Sequence, residues 1–561
     1  MKKVALCVLN SKYIHSSLAP WCLYTSAKKQ CGDSVSFSVV EGTINEAEDK
    51  VFDRIMAEGP SFVTFTCYIW NINQTLSLCR RIKESDESIT VILGGPEVAY
   101  NQEKILRDNT FVNYIFSGEG EVILPEFLEG KEEAQGISFI KNGKAHISFR
   151  EDGDRTDYPS PYCEEYFSSL KGRIAYIESS RGCPFSCAFC LSGRCGKVRF
   201  FPMERIKAEI LSLACCGAKT VKFVDRTFNC NLSRAKEILS FIKDNYGSKI
   251  PGDVCFHFEI AAHIADEEFI SLIGSMPSGS VQFEAGIQSF NPETLRVIGR
   301  KDNTEKICEN IKKLISFGNC HIHIDLIAGL PEESFSSFVD GFNKAYTLKA
   351  NMLQLGFLKI LHGSPMGEER EKYPCEYSQE PPYEVISTPW ISSQELDCLH
   401  KAENELERLY NSGRFSCTLD YIFENVSITP YELFYSFALY LEKKDKKGSV
   451  PLDEYTCLAF DFFSSLEGTD SKVLRDKMIS DRVETNNSGI IPERLKVADP
   501  MLKKASERTR ELSPYGKGIN RTVAILYTEK RIIWCDYREK DRISGRYKVE
   551  SAELEGVFED D

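Results

Sequence analysis

Two successive series of short β-branched runs, each run followed by turn residues and an amphipathic stretch, restrict this 561-residue chain more than any other feature. Such alternation builds parallel sheets, because parallel neighbours need a crossover and a helix supplies it. In the first series the runs are Val4 to Leu9, Ser34 to Val40, Ser61 to Thr66, Ile89 to Leu93 and Tyr114 to Ser117. The pattern predicts an α/β, doubly wound domain over residues 1–130, with a ligand crevice at the carboxyl ends of its strands. Residues 131–172 read as a connector containing a hairpin, Ile137 to Ile140 and Ala145 to Phe149 around Asn142-Gly143. The second series fills 173–375, with strands near Ile174 to Glu178, Thr220 to Val224, Val254 to Ile260, Ser280 to Ile287, His321 to Ile327 and Met352 to Leu361. Six strands separated by helices suggest a partial (β/α)6 barrel with its chemistry at the C-terminal strand ends, although the spacing also permits an open sheet. Residues 376–561 turn mostly helical, with Leu396, Leu399, Leu406 and Leu409 on one stripe and a terminal hairpin between Arg521 and Asp536.

Composition narrows the function classes. The formal charge of −14 removes the broad positive field that sequence-independent nucleic-acid binding needs, so a nucleic-acid partner is disfavoured. The chain shows no apolar stretch long enough to span a membrane, and its start turns polar too soon for a signal peptide, which predicts a cytoplasmic protein with no membrane partner. In that reducing compartment 21 cysteines do not form a disulfide framework, and isolated ones such as Cys7, Cys67 and Cys320 read as small core hydrophobes.

One group is not isolated. Arg181-Gly182-Cys183-Pro184-Phe185-Ser186-Cys187-Ala188-Phe189-Cys190 places three thiols directly after a barrel strand. Three thiolates can hold an iron-sulfur cube by three corners and leave one iron without a protein ligand. Zinc is the rival metal; it wants a fourth ligand, and Cys195 is the nearby candidate.

The Cys183-x3-Cys187-x2-Cys190 spacing, with aromatic Phe189 before the last cysteine, resembles the signature of the radical S-adenosylmethionine (SAM) enzymes. The resemblance implies a [4Fe-4S] cluster on Cys183, Cys187 and Cys190, whose unique iron chelates SAM. One electron then cleaves the sulfonium to methionine and a 5′-deoxyadenosyl radical. Phe189 is implied to lie beside the adenine. Further likenesses run through Val221 to Asn229, Glu284-Ala285-Gly286-Ile287-Gln288-Ser289 and Asp325 to Glu332. They imply that Glu284, Gln288 and Ser289 approach the SAM ribose and carboxylate, that Ile327 and Gly329 lie near adenine, and that Asp225 and Glu259 are catalytic candidates. Ordinary roles stay open: Ile327 as core, Gly329 as a turn, Asp225 and Glu259 as strand-end caps. Asp225-Arg226-Thr227 replaces the family's Gly-Gly-Glu, and Asp325 replaces its usual glycine. His321 and His323 share strand parity and read as strand packing.

The first domain resembles the Rossmann-like, cobalamin-binding domain attached to one large radical SAM class, on Leu9 to Leu18, Tyr68 to Asn71, Leu93 to Glu97 and Gly118 to Glu121. The likeness places Asn10, His15, Tyr68, Gly94, Gly95, Gly118 and Glu119 at the cofactor. Of the Asp-x-His-x-x-Gly motif whose His ligates cobalt, only His15 is kept, so a base-off, His-off cobalamin is the implied form. With its C-terminal region, on Gln354 to Pro365 and Tyr410 to Phe415, the chain resembles the subgroup with a C-terminal domain of unknown function (DUF4080-like). The resemblance implies SAM-dependent radical chemistry, with cobalamin-dependent methyl transfer or a related rearrangement on an unknown substrate and a reductant such as flavodoxin or ferredoxin. The rivals are a radical SAM enzyme without functional cobalamin, acting on RNA or a small molecule, and a non-catalytic iron-sulfur electron-transfer protein.

Overall fold

The computed structural model describes residues 1–151, 153–194, 197–301, 303–446, 448, 450–512 and 522–554. In the first unit β1 (Lys2–Asn10), β2 (Val35–Thr43), β3 (Phe62–Thr66), β4 (Thr90–Gly94) and β5 (Tyr114–Phe116) lie parallel, in the order β2-β1-β3-β4-β5. β1 is buried from Val4 through Asn10, as a strand covered by helices on both faces must be. The winding reverses between β1 and β3, so the loops after these two strands diverge and open a crevice. The hairpin β6 (Ile137–Lys141) and β7 (Lys144–His146), expected inside a connector, extends this sheet instead, β6 pairing antiparallel with β5. Burial of Ile137 and Phe139 beside Phe116 is the physical reason.

The second unit is a six-stranded parallel sheet in chain order: β8 (Ala175–Ile177), β9 (Thr220–Phe223), β10 (Cys255–Ile260), β11 (Val281–Gln288), β12 (His321–Ala328) and β13 (Met352–Phe357). Its register is fixed on one face by Phe223, Phe258 and Phe283, stacked across three strands with ring centroids 4.5 and 5.6 Å apart and fully buried. Because strand side chains alternate, that apolar face turns Lys222, His257, Glu259, Glu284, His323 and Asp325 to the opposite face, the lumen. A one-residue slip would bury these charges among the helices.

Both edges of this partial barrel are covered. At β8 the first unit adds a parallel bridge, Ile174 N donating to Ile14 O at 2.8 Å, and Ser16 Oγ donates to Ile174 O at 2.8 Å. At β13 the Asn411 amide takes the place of a strand, accepting from Leu353 N and donating to Leu353 O, each at 2.9 Å. Asn411 ends a π-helical turn (Leu406–Asn411) that continues the helix Ser393–Glu405. That helix opens on a Ser392/Glu395 capping box, and its four-leucine stripe is buried. The C-terminal region is mostly helical and closes with a sheet of β14 (Thr522–Leu526), β15 (Arg531–Cys535) and β16 (Glu550–Glu553), one strand more than the expected hairpin. Among the described residues no helix is long and apolar enough to cross a membrane.

Candidate active site

The cysteine loop follows β8 and is held from three sides. Below it, the fully buried Asp225 carboxylate accepts from Ser179 N at 2.9 Å, Ser179 Oγ at 2.6 Å and Ser180 Oγ at 2.5 Å. Burial raises the Asp225 pKa, and the Ser179 and Ser180 bonds oppose the rise. Asp225, expected as catalytic, is therefore a positioning residue that clamps the chain entering the loop. Alongside, Ala188 N donates to Ile298 O at 2.9 Å and Met366 N to Ala188 O at 3.0 Å. Within the loop Cys190 N donates to Cys187 O at 3.1 Å, and a Cβ on Gly193 would sit 3.2 Å from Cys187 N. Cys183, Cys187 and Cys190 form no disulfide, and Cys183 Sγ lies 3.6 Å from Thr227 Oγ1. Three thiols on one pinned loop, none of them in a disulfide, are a donor set that fits an iron-sulfur cluster. Cys195 lies outside the described residues. Phe189 packs half-buried against the main core.

The expected SAM contacts separate into two levels. At the carboxyl end of β11, Gln288 adopts φ +71°, and its buried Oε1 has no hydrogen-bond partner. A left-handed backbone at a non-glycine residue together with an orphaned acceptor is what a ligand-completed site shows, so the strand end fits SAM. Ser289 beside it is committed elsewhere: its Oγ donates to Glu333 Oε1 at 2.5 Å and accepts from Asn291 N. Burial lifts Glu333 to about 7. Gly329 needs its positive φ of 85°, and Ile327, opposite Gly356, lines the same end of the lumen. Glu284, by contrast, lies four residues below Gln288, roughly 13 Å down the strand.

Down there the lumen is charged. Glu284 Oε2 lies 3.1 Å from His257 Nε2, 3.5 Å from Lys222 Nζ and 3.8 Å from His323 Nδ1. Burial alone would raise Glu284, but His257, Lys222 and His323 hold it down at about 2. Glu259 lies 3.8 Å from Lys222, and its pKa is raised, first by burial and then by Glu284. Burial opposes a proton on His323, but Asp325 and Glu284 outweigh it and raise its pKa. His321, deeper and with no such carboxylate, is pushed by burial to about 4. Sequence parity put these groups on one side; their registration across strands, which makes them a cluster, comes from the fold.

At the carboxyl edge of the first sheet most expected cofactor residues join the two units. His15 Nδ1 meets Tyr176 Oη of β8 at 2.7 Å, which turns that nitrogen to the barrel. Asn10 Nδ2 donates to Glu41 Oε2 at 2.9 Å, and Arg173 donates to the same oxygen at 2.6 Å. Glu119 pairs with Arg181 at 2.8 Å and Arg199 at 2.7 Å and accepts from Tyr158 Oη at 2.6 Å. These partners, against burial, hold its pKa low. Arg181, two residues before Cys183, also pairs with Glu121 and Glu178; burial lifts Glu178 to about 7 against Arg181. Gly95 and Gly118 have positive φ, and a Cβ on them would strike Cys67 O and Arg150 O, each at 2.6 Å. Gly94 meets nothing closer than 3.7 Å. What remains open is an aromatic platform, Tyr68 stacked on Trp70 at 4.3 Å, with Trp70 44% exposed in the crevice loop after β3. A flat apolar surface at the switch point fits a corrin, while the Tyr176 contact engages Nδ1 of His15. Arg226, exposed after β9, carries charge felt at both Tyr68 and Glu259.

Comparisons with known proteins agree with this geometry. The B12 binding domain family matches residues 5–128, the Radical SAM superfamily 177–344, and a protein family of unknown function, DUF4080, 371–530. Fold and loop thus define a radical SAM protein with a B12-binding domain in front. The three matches follow one another in the order B12-binding, radical SAM, DUF4080, the order of the subgroup that the sequence resembles. The chain is 26% identical over 317 residues to 2-(S-pantetheinyl)-carbapenam-3-carboxylate methyltransferase of Streptantibioticus cattleyicolor, covering 50% of this chain and 44% of that protein. It is 26% identical over 358 residues to the cobalamin-dependent radical SAM methyltransferase TokK of Streptomyces tokunonensis, covering 57% and 50%. The chain spans about half the length of these curated relatives. In fold it resembles the cobalamin-dependent SAM radical enzyme OxsB, with a TM-score of 0.61 at 12% identity over 86% of this chain and 79% of that one. It also resembles the radical SAM methyltransferase TsrM of Kitasatospora setae, with a TM-score of 0.55 at 18% identity over 65% and 75%.

Proposed function

We propose that this protein is a radical SAM enzyme that uses a [4Fe-4S] cluster, SAM and cobalamin to methylate or rearrange a polar small molecule bound in the barrel lumen. The observation that carries the reading is the pinned loop of three cysteines at the mouth of a lumen lined by charged side chains. When bound, the cluster and SAM supply reductive sulfonium cleavage, and cobalamin supplies a methyl carrier. The chain does the rest. Asp225 and Gly193 set the loop, Gln288 Oε1 offers an acceptor at the strand end, and the Tyr68–Trp70 platform offers the corrin a face. Arg226 can hold an anionic group where crevice and lumen meet, and Glu259, its pKa raised, can carry a proton. A cytoplasmic location and a one-electron donor such as flavodoxin or ferredoxin belong to the same proposal.

The test is anaerobic reconstitution of the whole chain with iron and sulfide. The proposal expects iron and sulfide for one cluster, 5′-deoxyadenosine after reduction with SAM, and retained hydroxocobalamin. Deoxyadenosine without corrinoid would support the reading without cobalamin. Iron without deoxyadenosine would leave an electron-transfer protein.

A further inference from the structure

Midway down the lumen three metal-ligating side chains converge. Glu284 and His323 are direct cross-strand neighbours, and Asp325 is two residues beyond His323 on the same face. One ligand atom from each lies within 4.8 Å of the others. We propose that Glu284, His323 and Asp325 form a divalent-metal site in the barrel lumen, separate from the cysteine loop.

The argument rests on a mismatch. His323 Nε2 and Asp325 Oδ1 are 2.8 Å apart, yet both are buried atoms without a hydrogen-bond partner. His323 itself is only 7% exposed. An ordinary histidine–aspartate contact aims its N–H at the oxygen; here the two atoms are close but not aligned for one. Two ligands at about 2.0–2.2 Å from one ion stand roughly 3 Å apart in this way, with both lone pairs directed at a third point. The surroundings suit a cation. Three carboxylates (Glu259, Glu284 and Asp325) outnumber the two fixed cations that act on this group, Lys222 and Arg226, and an added positive charge offsets the excess. His257 and Lys222 both approach Glu284 Oε2 and orient that carboxylate from behind, as outer partners of metal ligands do.

Two carboxylates and one imidazole favour Mn²⁺, Fe²⁺ or Zn²⁺ over Mg²⁺ or Ca²⁺. Three protein ligands leave positions for an oxygen donor, so the site would take a substrate carrying a carboxylate, hydroxyl or phosphate. The site stands on its own geometry, not on the radical reading.

Mn²⁺ is the probe, because it prefers oxygen and nitrogen to the many thiols of this chain. Chelator-washed, cluster-loaded full-length protein is titrated with Mn²⁺ while the six-line EPR signal of the free ion is followed. One Mn²⁺ per chain should disappear from that signal and return when Zn²⁺ is added. His323→Gln and Asp325→Asn should each weaken uptake tenfold or more with iron and sulfide contents unchanged, which shows the variants folded and keeps the cluster reading separate. No uptake by the unmodified chain, or equal uptake in the His323→Gln and Asp325→Asn variants, overturns the proposal.

Discussion

The two carboxyl edges of this molecule, that of the first sheet and that of the partial barrel, have the same kind of loops and opposite economies of hydrogen bonding. At the first sheet, His15, Asn10 and Glu119 are engaged by Tyr176, Glu41, Arg181 and Arg199, and Gly95 and Gly118 make room for the chain itself. At the barrel, the buried Gln288 amide oxygen has no hydrogen-bond partner, and the three thiols stand on one loop outside any disulfide. A polar side chain in a crevice therefore does not by itself mark a ligand. The first edge is built chiefly as a seat for the barrel and keeps one aromatic platform; the second keeps its chemistry exposed to whatever binds.

This contrast can be broken most forcefully at the thiols. Cys183→Ala, Cys187→Ala and Cys190→Ala should each bring reconstituted iron and sulfide to background and abolish deoxyadenosine formation, read by metal analysis and chromatography. Retention of a full cluster in any of them would place the donor set elsewhere.

Next in size is the joint. Arg181→Ala leaves Glu119, Glu121 and Glu178 facing one another and should cost about 3–5 kcal/mol in urea unfolding. An unchanged midpoint would mean that the first edge is not a seat.

A pH dependence sharpens the barrel side. Glu333, at about 7 when folded, lies above the usual carboxylate value near 4.3, so the folded state binds the proton more tightly. Its contribution is fully present below about pH 4.3 and is lost as pH rises through about 7. Glu333→Gln should flatten stability over that window by roughly 3–4 kcal/mol. An unaltered pH profile would remove Glu333 as the source.

The smallest effect concerns His15. Tyr176→Phe should cost about 1 kcal/mol. EPR of bound cob(II)alamin in the unmodified chain should lack nitrogen superhyperfine splitting; splitting that is present and vanishes in His15→Ala would show His15 on cobalt.

Much of this was legible in the chain. Alternation announces both sheets, because Phe223, Phe258 and Phe283 interleave with Lys222, His257 and Gln282 at the period of a strand. The thiol loop is local and needs no tertiary knowledge. What escaped reading depends on contacts between distant segments. Glu284, His323 and Asp325 cluster only once β11 and β12 take their register. The hairpin joins the first sheet because its apolar face finds Phe116, and Asp225 acts on Ser179 and Ser180, more than forty residues away. Arg181, which in the sequence only opens the thiol loop, holds three carboxylates.

Asn411 carries one more lesson. By imitating a backbone peptide against Leu353, its amide stands in for the missing seventh strand and hides the raw margin of β13 from other molecules. A protein cut before residue 376 would bare that margin, and its copies should adhere to one another in solution. The uncharacterised C-terminal region thus serves, whatever else it does, as the hem that keeps an unfinished cylinder from fraying.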